Sequence, residues 1–276
     1  NSLGLALRSQ EKLEQALHHF QEAIRINPDL SQAHNNLGNA LRSQGRLDEA
    51  IRCYLAALRS DPEFADAHYN LGNTLATDRR FDEAIRHYQA ALRVRPDHPA
   101  SYALGSALRD RGSFEEAISH YRQLLQRDPE DARAHFDLAR TLSAQGSLDQ
   151  AIGHYREAIR IKPDWPAPLG KLAWILATHP DTGIRDAPRA IELAQKAAEI
   201  TENQNPVILD TLAAAYAAAG WFDRAVQTAE DALALASQAQ ANDLAPGIRQ
   251  RLELYRREKP FRAPRSRPAV NGIEEQ

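Results

Sequence analysis

Residues 67–96 read AHYNLGNTLATDRRFDEAIRHYQAALRVRP, and this stretch decides the fold. Its Asn70, Leu71 and Gly72 are answered by Ala84, Tyr88, Ala91 and Pro96. Moved back by 34 residues, the pattern returns as Asn36, Leu37 and Gly38, then Ala50, Tyr54, Ala57 and Pro62. A period of about 20–50 residues marks stacked units, each burying its apolar face against its neighbours. Apolar residues at i, i+3, i+4 and i+7 predict two helices per unit, 67–76 and 81–94 in this copy. Between them lies a short turn such as 43–46, where Gly45 is placed to take a positive φ. Asp48 and Asp82 fall in the first turn of the second helix, where a negative charge suits the helix dipole. Pro62 and Pro96 close their units, because proline lacks an N–H and turns its predecessor away from helix. Gly38, Gly72, Ala50 and Ala84 are small where the paired helices approach most closely.

Working outward, a partial first unit, 1–30, carries Gly4, Leu7, Ala16, Phe20, Ala23 and Pro28. Units 31–64 and 65–97 are the clear copies; 98–131 and 132–165 keep the register through Tyr121 and Tyr155. The sixth, 166–205, receives its alanine late, at Ala190, because a turn-rich loop is inserted at 179–186, with Asp186 expected to cap the next helix. The seventh, 206–239, keeps Leu212, Ala213, Gly220, Phe222 and Ala225. Leu244, Ile248, Leu252 and Tyr255 then form a one-sided stripe, read as a capping helix within 240–259. Residues 260–276, proline-bearing and poor in apolar side chains, are expected to be a flexible tail. The chain contains no methionine and opens partway into a unit, so a piece of a longer protein is expected. In that case Leu3, Leu7 and Ala16 present an uncovered face, where either fraying or end-to-end association through the first repeat is expected, with the oligomeric state left open.

A chain of 276 residues is near the upper limit for one compact core, whereas a solenoid gains core with every unit. Plentiful alanine and leucine with few β-branched residues favour an all-α chain. A net charge of −3 gives no global attraction to nucleic acid or acidic membrane. No window approaches the ~18 apolar residues of a spanning helix, and no signal-peptide pattern opens the chain, so no membrane insertion is expected. Cys53, the one cysteine, is read as a small packed side chain.

Ten histidines raise the question of a metal. His19, His87, His120 and His154 share one slot of the repeat, and Cys53 fills it in the second unit. Ligands must meet within about 2.0–2.3 Å of a zinc ion, while packed helix axes lie ~8–10 Å apart. Equivalent slots in successive units therefore cannot converge, and no metal or other cofactor is expected. Phosphate-loop, serine-hydrolase and zinc-protease motifs are absent, and no catalytic residue is assigned within this sequence. The acidic pairs Asp48–Glu49 and Asp82–Glu83 recur with the period as solvated helix starts. Residues 249–267 hold eight Lys/Arg against two Glu and are read as a solvated helix face and tail.

The Leu-Gly, Ala, Tyr and Pro pattern resembles the tetratricopeptide repeat (TPR), most clearly over residues 1–165. NNLGNALRSQGRLDEAI (35–51) and YNLGNTLATDRRFDEAI (69–85) are most similar to the superhelical repeats of O-linked N-acetylglucosamine transferases. The C-terminal part resembles repeat regions of bacterial membrane-anchored proteins. The resemblance implies a right-handed α-solenoid of about seven repeats (1–239) plus the capping helix. It implies a scaffold that binds a partner protein or extended peptide in a concave groove lined by the first helices. A cytoplasmic or extracytoplasmic domain of a bacterial protein fits equally well. An alternative is a substrate-recruiting domain of a glycosyltransferase whose catalytic part lies elsewhere.

Carried over by motif, the groove slots hold Asn35, Asn36 and Asn39, then Tyr69, Asn70 and Asn73. Next come Tyr102, then Phe136, Asp137 and Arg140, then Lys171 and Trp174. An asparagine offers two donors and an acceptor, so a row of them can pair with a peptide main chain of any sequence. Asn36 and Asn70 match the transferase asparagine ladder; Ala103, Asp137 and Lys171 interrupt it. A carboxylate clamp is not expected, since Pro99 and Ala103 stand where its cations would be.

Overall fold

The computed structural model describes residues 13–241 and 243–264. All regular structure among them is helical. Helix α1 (Leu13–Ile26) is the second helix of the first repeat. Pairs follow: α2 (Ser31–Ser43) with α3 (Leu47–Ser60), α4 (Ala65–Thr77) with α5 (Phe81–Val94), and α6 (Ala100–Arg111) with α7 (Phe114–Arg127). The remaining pairs are α8 (Ala132–Gln145) with α9 (Leu148–Ile161), α10 (Pro166–Thr178) with α11 (Ala187–Ile200), and α12 (Pro206–Ala218) with α13 (Phe222–Gln238). Helix α14 (Ala245–Tyr255) comes last. This is an all-α solenoid of helix pairs. It divides into two compact blocks, residues 1–120 and 121–276.

In the first block α2 packs on α3 and α4 on α5, while successive first helices also touch, α2 against α4 and α4 against α6. The core is a column of alanines and tyrosines. Ala50, Ala84, Tyr54 and Tyr88 are buried. Gly38 and Gly72 exist for these tyrosines: a Cβ on either would stand 2.6 Å from the ring, Tyr54 Cε1 or Tyr88 Cε1. Helix termini follow the sequence reading. Gly45 takes φ 75° and its N–H bonds the Arg42 carbonyl, while the Arg46 N–H bonds that of Leu41. One repeat later the same turn is made by Arg79 at φ 61°, an L-residue in the left-handed region.

In the second block α8 packs on α9, α10 on α11, α12 on α13, and α10 also touches α12. Ala151 and Tyr155 repeat the core pair of the first block. Asp186 caps α11, its carboxylate accepting from the Arg189 N–H at 3.0 Å, so the 179–186 loop re-enters helix where expected. Helix α14 lies on α13 and buries Ile248, Leu252 and Tyr255.

The C-terminal segment departs from the sequence reading. Residues 260–264 were expected in a flexible tail, yet the Ala263 N–H bonds the Thr178 carbonyl at 2.9 Å, and Arg262 bonds the Ala177 carbonyl at 3.1 Å. The physical reason is a single large apolar side chain, Phe261, that finds a ring partner in Trp174 at 5.7 Å between centroids. Leu3 and Leu7 of the expected end-to-end face, and residues 265–276 of the tail, lie outside the described residues.

Candidate functional site

The first helices carry the slots assigned from the motif. Packing α2 against α4 brings these slots within reach of one another, and the asparagines respond by bonding across the repeats. The Asn70 side-chain N–H₂ donates to Asn35 Oδ1 at 2.9 Å. Asn35 and Asn36 are both 3 % exposed. Asn36 accepts from the Gln32 amide. An exposed ladder of Asn36 and Asn70 is thus corrected: the cross-repeat pair is Asn35 with Asn70, and Asn36 is a buried structural residue. Periodicity locates a slot but does not say which neighbouring side chain will close over it.

Asn39 and Asn73 behave differently. Each accepts a hydrogen bond from the core tyrosine of its own repeat, Tyr54 to Asn39 Oδ1 at 2.8 Å and Tyr88 to Asn73 Oδ1 at 2.9 Å. In both contacts the phenol donates to the amide oxygen, which leaves each amide's N–H₂ turned away from the tyrosine. The two N–H₂ groups are left without a partner among the described residues, and both asparagines are partly exposed. Burial pushes the Tyr54 hydroxyl up to about 12, which keeps it a donor at any ordinary pH. Tyr69 stands beside them, its ring 6.2 Å from Tyr88 and edge-on to His98 at 5.0 Å. Tyr102, on α6, is also half-buried.

In the second block Phe136 is covered by Trp165, ring centroids 4.7 Å apart, and Arg140 lies over its outer face at 5.6 Å. Asp137 is buried beneath and pairs with Arg140 at 3.4 Å and Arg133 at 3.7 Å. Lys171 is exposed; desolvation of its ammonium and then the Arg140 charge hold its pKa below the usual lysine value. Trp174 is not a free anchor. Arg251 of α14 lies 5.3 Å over its ring, and Phe261 covers it further. Arg251 is in turn gripped by Asp210 of α12, with Nε to Oδ1 at 2.8 Å and Nη2 to Oδ2 at 2.6 Å. Asp210 occupies the seventh-repeat equivalent of the Asn35 slot, and sequence reasoning passed over it. The signal available was Phe261, one aromatic residue in an otherwise polar, proline-bearing stretch.

The histidine column is also explained by what faces it. His68 of α4 meets His87 of α5 with Nδ1 to Nδ1 at 2.9 Å, and His135 meets His154 in the same way at 3.0 Å. Both first-helix histidines use Nε2 on a proline carbonyl, Pro62 at 3.1 Å and Pro129 at 3.1 Å. Among the described residues no three His, Cys, Asp or Glu side chains gather as a metal site, and no helix is long and apolar enough to cross a membrane. Burial raises the Cys53 thiol to about 11, so it is no nucleophile at neutral pH.

Stacked helix pairs, with buried Tyr54, Tyr88, Tyr121 and Tyr155 recurring in the second helices of four of them, define an α-helical repeat solenoid. Family models described as tetratricopeptide repeat or TPR repeat match residues 4–41, 38–78, 63–130 and 102–166, jointly more than half of the chain. The chain belongs to the tetratricopeptide-repeat proteins. Solved structures agree in fold. A tetratricopeptide repeat protein from Parabacteroides merdae aligns with a TM-score of 0.63 at 17% identity, over 92% of this chain and 96% of that one. MamA aligns at 0.54 and 21% identity, over 58% of this chain and 94% of that one. YrrB, described as a TPR protein with an unusual peptide-binding site, aligns at 0.50 and 24% identity, over 69% of this chain and 95% of that one. No curated protein matches, so the likeness to transferase repeats rests on the repeat motifs alone.

Proposed function

We propose that this chain is a protein-interaction scaffold whose first helices hold an extended segment of a partner. The observation that carries the reading is the fixed pair of amides, Asn39 and Asn73, turned by Tyr54 and Tyr88 so that N–H₂ donors are on offer. Asn70 complements them: its N–H₂ is used on Asn35, so its oxygen remains as an acceptor. Donor, acceptor and donor in one row match the alternating C=O and N–H groups of an extended main chain. Tyr69 supplies an aromatic surface beside them, the kind of residue that dominates binding energy at interfaces. In the second block Arg140 and Lys171 offer a cationic surface, suited to acidic side chains of a ligand. The P. merdae, MamA and YrrB likenesses support the scaffold fold, and the peptide site described for YrrB makes peptide binding a natural use of it.

The test exploits chemistry rather than truncation. Asn39→Asp with Asn73→Asp keeps an acceptor for each tyrosine but replaces both outward N–H₂ donors with oxygen. A partner obtained by affinity capture with the full chain is titrated against wild type and the double variant. Affinity is expected to fall by roughly 1–3 kcal/mol while the melting temperature changes little. Unchanged affinity in a folded double variant overturns this placement of the ligand.

A further inference from the structure

The segment after α14 runs back along the first helix of the sixth repeat and sits where a ligand would. Phe261 lies on Trp174, with Arg251 5.6 Å over the Phe261 ring and 5.3 Å over that of Trp174. Arg262 and the Ala263 N–H bond the carbonyls of Ala177 and Thr178, two of the last carbonyls of α10. Those carbonyls have no partner within their own helix and mark its negative end, so they favour a cation and an N–H donor. The receiving surface is held independently of the segment. Arg251 is pinned by Asp210, and Thr178 bonds back to the Trp174 carbonyl at 2.8 Å.

We propose that this face is a binding site for extended segments bearing an aromatic residue followed by arginine, and that Phe261–Arg262–Ala263 occupies it as an internal ligand. The proposal rests on the scaffold reading and adds to it the ligand chemistry of one site and a competitor built into the chain. The grip is of the kind a partner can displace. It consists of one ring contact, one cation–π contact from Arg251 and two hydrogen bonds to carbonyls, with no carboxylate paired to Arg262 among the described residues. A second cation, Arg185, stands at the same helix end on the carbonyls of His179 and Pro180. Like charges there oppose the docked arginine, and desolvation together with Arg185 lowers its pKa. A partner segment with the same two side chains replaces each contact in kind, and the freed C-terminal segment then becomes available to solvent.

The probe is a fluorescein-labelled peptide of sequence KPFRAP, taken from residues 259–264, titrated by polarisation against full chains. Wild type is expected to bind it weakly, because the site is filled. Phe261→Ser with Arg262→Ser in the full chain is expected to bind at least about tenfold tighter, the factor being set by how completely the internal ligand fills the site. Adding Trp174→Ala to that variant is expected to remove binding. Equal affinity for wild type and the double variant, or binding that survives Trp174→Ala, overturns the proposal. A second measurement needs no variant: hydrogen exchange of the Ala263 amide in wild type. Exchange faster than the α10 amides, accelerated further by excess peptide, supports an internal ligand. Exchange only through global unfolding makes the segment a permanent cap and overturns it. Failure of this peptide while the Asn39/Asn73 titration behaves as expected removes this inference and leaves the scaffold reading standing.

Discussion

The two histidine pairs show what a single residue position does in a repeat. His68 donates from Nε2 to the Pro62 carbonyl, so its Nδ1 is an acceptor and the His87 Nδ1 must carry the proton. Burial, and then His68, drive His87 down to about 4; burial lowers His68, and burial with His135 lowers His154. The unfolded chain takes up these protons near pH 6.5, but the folded chain does not until well below it. Stability from the His68–His87 pair is therefore present above about pH 6.5 and drains away as pH falls toward 4, by on the order of 1 kcal/mol, and His154 contributes in the same direction. Urea midpoints measured from pH 8 to 4.5 should be level and then fall. His87→Cys, the residue the second repeat uses at this slot, should flatten the fall. Tyr255 offers a contrast: its hydroxyl is buried with no partner among the described residues. Tyr255→Phe should be neutral or raise the melting temperature slightly, since removing an unsatisfied hydroxyl abolishes its desolvation cost. A drop of several degrees would reveal a hydrogen bond there. At this scale the sequence was informative about slots and silent about partners. The motif located Asn39 and Asn73, but only the tyrosine contact tells which end of each amide faces outward.

At the level of helices the sequence was most legible. The second helix of the third repeat was expected at 81–94 and stands there as α5; its first helix runs 65–77 against an expected 67–76. The period was readable because its small residues are dictated by steric contact: the space over Tyr88 admits glycine and nothing larger without movement. Gly72→Leu should therefore cost roughly 1–3 kcal/mol by overpacking, read as a lower urea midpoint. The turn between α4 and α5 gives the opposite case. Arg79 holds φ 61° where Gly45, Gly112, Gly146 and Gly220 serve in other repeats. Arg79→Gly should stabilise by about 0.5–1 kcal/mol, because the left-handed strain on an L-residue exceeds the entropy that glycine brings to the unfolded chain. A fall in melting temperature would mean that the Arg79 side chain contributes more than its backbone strain costs. The C-terminal segment was illegible for a related reason. No local pattern signals docking at a site nearly ninety residues away in sequence; only Phe261 hinted at it.

Across the whole molecule, a solenoid distributes stability among neighbouring repeats, so damage should remain local. In the first block, Gly72→Leu should loosen α4, α5 and the helices they touch, while the amides of α12 and α13 keep their protection from exchange. Uniform loss of protection would point to a single cooperative core. Under the proposed scaffold function the same locality leaves one face for a partner: α2 and α4 carry Asn39, Asn70 and Asn73, all partly exposed. The most direct measurement is hydrogen exchange of the full chain with and without a captured partner, resolved helix by helix. Partner binding should slow exchange in α2 and α4, whose side chains carry the row, and leave the outer turns of α3 and α5 unchanged. Protection gathered instead on α3 and α5, with α2 and α4 unaffected, would contradict binding through the first helices.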